Sequence, residues 1–127
     1  TLALPIWLLL FAPSSQADTA TEIEHLFAYI ASSGCTFIRH GSPYDNAAAV
    51  AHLRKKYTHT KRWVKTSEEF IRYTATKSSR TGRNYSVICN GVETPTAQGL
   101  TDELERFRNR YTSILTASVA EPFSVLL

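Results

Sequence analysis

Methionine is absent from this sequence, and cysteine occurs only twice. With no initiator, and no basic segment ahead of its first apolar run, the chain reads as cut short at its start. With no further thiols at usable spacing and no Cys-x-x-Cys pair, neither a thiolate metal cage nor a dithiol redox centre can be assembled. No serine stands in a Gly-x-Ser-x-Gly elbow or a Ser-x-x-Lys context, which removes two local signatures of a serine nucleophile. Internal repeats and low-complexity tracts are not visible. The apolar run at the start, Leu2 to Ala12, is too short to span a bilayer comfortably. At 127 residues and 43% hydrophobic content there is room for one domain and not for two.

What is present begins with residues 1–17, TLALPIWLLLFAPSSQA, which carry no charge and end in Ser15-Gln16-Ala17. This is the apolar core and small-residue cleavage site of a secretory signal peptide, so the mature domain is expected over 18–127, in the periplasm. Cys35 and Cys89 both lie in that mature part. An oxidising compartment closes such a pair into a disulfide, and a loop of that length should stabilise the fold by about 4 kcal/mol on the chain-entropy account.

Charge is unevenly spread. Ten Lys/Arg between Arg54 and Arg83 face only Glu68 and Glu69, a local balance of +8 in a chain whose net charge is +3. Such asymmetry suggests an anionic envelope component or an acidic protein as partner. Lys55-Lys56-Tyr57 and Lys61-Arg62-Trp63 interleave cations with aromatics as single-strand binders do, but an exported protein seldom meets nucleic acid, which is not expected as a partner.

Ile23, Leu26, Phe27 and Ile30 form a helical stripe, capped at Thr21 or Thr19 and ended by Gly34. Cys35 to Arg39 reads as a strand entering a loop at Gly41-Ser42-Pro43. Asp45 or Asn46 caps a second helix burying Ala47, Val50, Leu53 and Tyr57, with Val64 a further candidate. Thr66 to Glu69 is a capping box for a third. Ser78 to Arg83 has turn composition, Tyr85 to Cys89 alternates as a second strand, and Pro95 sits in the first turn of a last helix along Leu100, Leu104, Phe107 and Tyr111. The apolar tail Ser118 to Leu127 has no pattern. The expected fold is α+β: about four helices around a short antiparallel two-stranded sheet clamped by the disulfide. In that pairing Cys35 faces Cys89, Phe37 faces Val87 and Arg39 faces Tyr85.

Arg39-His40-Gly41 matches the nucleophile triplet of the histidine phosphatases, and phosphoryl transfer there is the alternative function. That chemistry needs a second catalytic histidine, more arginine and an acid converging on a parallel sheet. His25, His52 and His59 are all placed on helices, and two short strands cannot build such a scaffold. The carboxylates Glu68/Glu69 and Asp102/Glu103/Glu105 read as helix first-turn charges opposing the macrodipole. No catalytic constellation, metal site or cofactor is expected.

The segments IEHLFAYIASSGCTFIRHGSPYDNAAAVAHLRKKY, TSEEFIRYTATKSSRTGRNYSVIC and LTDELERFR together resemble the YfeK-like family of small exported proteins of Gram-negative bacteria, whose function is uncharacterised. In that family's pattern asparagine commonly stands where His40 stands here, proline where Asn84 stands, and tryptophan where Gly99 stands. The resemblance implies a periplasmic location, and an asparagine at position 40 implies that a phosphohistidine is not the family's shared chemistry. Both Asn and His tolerate the unusual backbone angles of a strand exit.

The expected function is a non-enzymatic binding or envelope-associated module. Its candidate binding residues are Arg39, His40, Gly41 and Tyr85 at the strand ends, with Arg80 and Arg83 on the turn before the second strand. His52, Lys55 and Lys56 extend the site if their helix packs beside it. The purely structural alternative stacks Arg39 on Tyr85, where it caps a helix C-terminus.

Overall fold

A computed structural model describes residues 17–126; the apolar run Leu2 to Ala12 lies outside them. In chain order the elements are α1 (Thr19–Ser32), β1 (Thr36–Arg39), β2 (Ser42–Tyr44), α2 (Asn46–Thr60), a 3-10 turn (Lys61–Trp63), α3 (Ser67–Phe70) continuing into a π-helical segment (Ile71–Ala75), β3 (Ser86–Cys89), β4 (Val92–Pro95) and α4 (Thr96–Leu126).

Local chemistry starts each helix. The Asp18 carboxylate, rather than either threonine, accepts the Thr21 amide at 2.8 Å and caps α1. Asp45 accepts the Ala48 amide at 2.8 Å to open α2. At α3 the expected capping box is complete, Thr66 and Glu69 each accepting the other's amide. The stripe Ile23, Leu26, Phe27 and Ile30 is buried as the spacing requires. On α2 the phase differs: Ala49 and Leu53 are buried, while Ala47 faces solvent. On α4, among the residues whose burial is described, the buried apolar stripe is Leu100 and Leu104, and the helix continues through the tail that lacks a sequence pattern.

The sheet has four antiparallel strands, ordered β2-β1-β3-β4, where two were expected. Gly41-Ser42-Pro43 is not loop punctuation. His40 and Gly41 form a two-residue turn with both φ angles positive (55° and 75°), and Asn90-Gly91 repeats it at 52° and 79°, the backbone of tight β-hairpins. Each turn folds a short strand back onto its neighbour. Those outer strands were illegible because each carries a proline, Pro43 in β2 and Pro95 at the end of β4. Proline lacks the N–H of an inner ladder but suits an edge, where it also discourages pairing with another chain. Pro95 therefore ends a strand and does not belong to the first turn of α4.

Between the central strands the expected register holds: Thr36 pairs with Ile88, Phe37 with Val87 and Ile38 with Ser86. Cys35 and Cys89 extend it into a disulfide with Cα atoms 4.6 Å apart. A repeat invisible in the sequence also emerges. β1, β2 and α2 begin at residues 36, 42 and 46, and β3, β4 and α4 begin fifty residues later, at 86, 92 and 96. The hairpin-helix unit thus occurs twice around a local two-fold at the Phe37–Val87 pair. Under it the Cys35–Cys89 pair corresponds to the Tyr85–Arg39 pair at the opposite end.

Two buried carboxylates tie the helices together. Glu22 on α1 accepts the Ser67 hydroxyl (2.6 Å) and Arg108 of α4 (2.8 and 3.0 Å), and Arg108 also reaches Glu68 (2.7 Å). Burial alone would raise the Glu22 carboxyl, but Arg108 and Ser67 outweigh it and hold it below its ordinary value. Glu103 is a buried anchor and not a first-turn charge, since α4 begins seven residues earlier; it bonds His25 (2.6 Å), Arg106 (3.0 Å) and Arg110 (3.1 Å).

Two outcomes follow for stability. Reducing the disulfide, which closes a separation of 54 residues, should lower the unfolding free energy by about 4 kcal/mol, seen as a fall in urea midpoint with dithiothreitol; an unmoved midpoint contradicts this. Arg108→Ala should cost about 3 kcal/mol at neutral pH by leaving the Glu22 carboxylate uncompensated. Because burial alone would raise the folded Glu22 value and Arg108 holds it below the ordinary 4.5, this deficit is full at neutral pH and shrinks as acid protonates the carboxylate, first in the variant. Urea titrations of both proteins across pH 3 to 7 read it out.

Candidate functional site

At the end of the central strands opposite the disulfide lies a hollow of about 730 Å³. Four elements build it. β1 delivers Arg39 and its turn His40; β2 adds Tyr44; α2 contributes His52, Lys55, Lys56 and, at its end, His59 and Thr60; the turn before β3 supplies Ser78 to Thr81, with Tyr85 behind it. Strand pairing explains the first group. Phe37 is opposite both Tyr44 and Val87, so alternation puts Arg39, Tyr44 and Tyr85 on the face that carries Phe37 into the core.

Seven of the nine expected binding residues thus share one wall: Arg39, His40, His52, Lys55, Lys56, Arg80 and Tyr85. Gly41 and Arg83 do not. They meet each other beside the hollow, where a Cβ on Gly41 would stand 3.8 Å from Arg83 Nη2. Arg39 does not stack on Tyr85; its guanidinium lies 5.3 Å from the Tyr44 ring centre, and Lys56 Nζ lies 5.0 Å from that of Tyr85.

A directed chain of hydrogen bonds crosses the floor. Arg39 Nη1 can only donate, so His52 Nδ1, 2.7 Å away, accepts. The imidazole proton therefore sits on Nε2 and is donated to Tyr85 Oη at 3.0 Å. Lys56 also donates to that oxygen at 3.4 Å and to the Lys77 carbonyl. With its oxygen receiving two donors, Tyr85 has its own proton free to donate towards the hollow. Burial raises the Tyr85 phenol against the opposing influence of Arg39 and so keeps that proton in place. Burial, then Arg39 and Lys56, lowers His52 and keeps it neutral; burial, then Lys77, lowers Lys56.

Among the described residues no carboxylate lines the hollow and none pairs with Arg39, Lys55, Lys56 or Arg80. Arg39 Nε is buried with no hydrogen-bond partner. Three other cations of the basic segment are engaged: Arg54 pairs with Glu24 at 2.8 Å, and Arg62 and Arg72 lie over Trp63 and Tyr73. Among the described residues, no three His, Cys, Asp or Glu side chains are grouped to hold a metal ion.

A family model described as a family of unknown function (DUF5329) matches residues 17–108, which include every residue of this wall. The chain belongs to the DUF5329 family. It is similar to the uncharacterized protein YfeK of Salmonella typhimurium (strain LT2), 34% identical over 84 residues that make up 66% of this chain and 67% of that protein. No solved structure matches at a significant level.

In this DUF5329 domain the wall residues that sequence reasoning missed are Tyr44, His59, Thr60, Ser78, Ser79 and Thr81. Tyr44 was recoverable. Once His40-Gly41 is read as a tight hairpin turn, the residue opposite Phe37 follows by counting. The hydroxyl residues carry no such signal, because the loop bearing them is oriented by the Ser78–Arg83 and Thr76–Tyr85 backbone bonds.

His52 provides a direct check. Its folded value lies below the ordinary 6.5, so the unfolded chain takes up this proton first as pH falls. Stability should drop on acidification from about pH 6.5 down to the depressed value, and His52→Asn should flatten that limb, measured by urea unfolding. Side-chain nitrogen NMR should find Nε2 protonated and Nδ1 bare; the opposite tautomer contradicts the chain of donors.

Proposed function

We propose that this chain is a non-enzymatic binding module that holds an anionic component of the bacterial envelope in the basic hollow. One observation carries the reading: Arg39, Lys55, Lys56 and Arg80 converge on a space whose wall has no carboxylate among the described residues, with Arg39 Nε buried and unpartnered among them. Holding like charges together in a partly desolvated site is costly unless an anion enters, and the free Tyr85 proton adds a neutral donor for one of its oxygens. Export to the periplasm is supported by the uncharged apolar residues 1–17 and by the Cys35–Cys89 disulfide. Binding without catalysis is supported by the role of the Arg-His-Gly triplet in the backbone, where His40 and Gly41 form the two positive-φ corners of the hairpin.

Inorganic phosphate should bind in calorimetry at low ionic strength and weaken as salt rises. Arg39→Ala and Lys56→Ala should each reduce affinity by about tenfold or more, the worth of one hydrogen bond to a charged group. Unchanged affinity in both variants rejects the site. Phosphate release from p-nitrophenyl phosphate that His40→Asn abolishes would replace binding with phosphoryl transfer.

A further inference from the structure

The basic hollow does not end at its cations. Thr60, the last residue of α2, also forms one side of a second hollow of about 370 Å³ whose remaining walls are Trp63 and Tyr73. Trp63 is 57% exposed and Tyr73 39%, so two large rings stand in water beside a charged cavity. Both are held in place. Arg62 lies 4.8 Å from the Trp63 ring centre and Arg72 lies 5.5 Å from that of Tyr73. The Thr60 and Thr74 hydroxyls share a hydrogen bond of 2.7 Å, which ties the end of α2 to the π-helical segment bearing Tyr73. Such segments recur at functional sites.

We infer that the ligand is an anionic sugar, its phosphate or carboxylate seated among Arg39, Lys56 and Arg80 and its ring laid against Trp63 and Tyr73. The inference rests on the anion-binding reading above and adds the class of molecule that carries the anion. A pyranose presents an apolar C–H face suited to an aromatic ring and a rim of hydroxyls that both donate and accept. The basic hollow offers such groups besides its cations: the Thr60, Ser78, Ser79 and Thr81 hydroxyls and the His59 imidazole, with Thr60 shared by the aromatic hollow. Among the described residues no carboxamide or carboxylate lines either hollow, so the side-chain contacts that single out adenine and cytosine are not supplied. A quaternary ammonium also seeks aromatic faces, but the charges of Arg62 and Arg72, 4.8 and 5.5 Å from these ring centres, would repel it as they would not a neutral ring.

Calorimetry with inorganic phosphate, glucose 6-phosphate and adenosine monophosphate on the wild type, Trp63→Ala and Lys56→Ala tests this. Trp63 is exposed, so its replacement should leave the fold intact. Glucose 6-phosphate should bind about tenfold tighter than inorganic phosphate, the scale of one ring stacked on an aromatic. Trp63→Ala should erase that advantage without changing phosphate affinity, while Lys56→Ala weakens both. Equal affinity for the two, with Trp63→Ala silent, overturns the sugar assignment and leaves the anion site standing. A preference for adenosine monophosphate overturns it in favour of a base. Failure of the wild type to bind any of the three removes the anion site as well.

Discussion

The pairing of β1 with β3 in a single register is the constraint on which the rest of this protein depends. It places Phe37 and Tyr85 in the core and, by the same alternation, turns Arg39 toward α2. A slip of β1 by one residue would send Phe37 and Arg39 to the face opposite Tyr85. With only four residues in each strand, ladder bonds alone specify register weakly. The disulfide one step beyond Thr36–Ile88 removes that freedom, because only this alignment brings Cys35 opposite Cys89.

The two ends of the strand pair are related by the local two-fold and have opposite chemistry. At one end a covalent bond closes the sheet, and the adjoining hollow is small and largely apolar, lined by Phe37, Val87, Ala49 and Leu100. At the other end, Arg39 and Tyr85 take the places of the cysteines, and the space stays open and basic. One supersecondary unit, used twice, thus provides a rigid end and a receptive end, so the groups of the receptive end project from paired backbone and helix rather than from loops alone.

Charge is handled differently inside and outside that hollow. The buried acids Glu22 and Glu103 are each surrounded by donors drawn from several helices, so their charge is compensated within the fold. The cavity cations receive no such compensation from the wall. The Arg39–His52–Tyr85 chain shares out protons among them without supplying negative charge. That contrast, more than the number of basic residues, supports the proposal that the hollow binds an anion.

Much of this was readable in advance. The helical stripe of α1, the capping box at Thr66, the cysteine pairing and the register that follows from it are determined by local chemistry and by a covalent constraint that has one solution; Arg39, His40, Arg80 and Tyr85 could be named from the strand ends they flank, and His52, Lys55 and Lys56 on the condition that their helix packs beside them. The outer strands were hidden because three or four residues containing a proline carry no alternation, and the repeat because its two copies keep backbone angles rather than side chains. Whether Arg39 would lie on Tyr85 or Tyr44, whether Glu103 would be a surface charge or a buried anchor, and that Thr60, Trp63 and Tyr73 would meet beside the cations depended on how helices far apart in sequence pack. Such packing minimises exposed apolar area and unpaired charge over the whole chain at once, so no segment read by itself contains the answer.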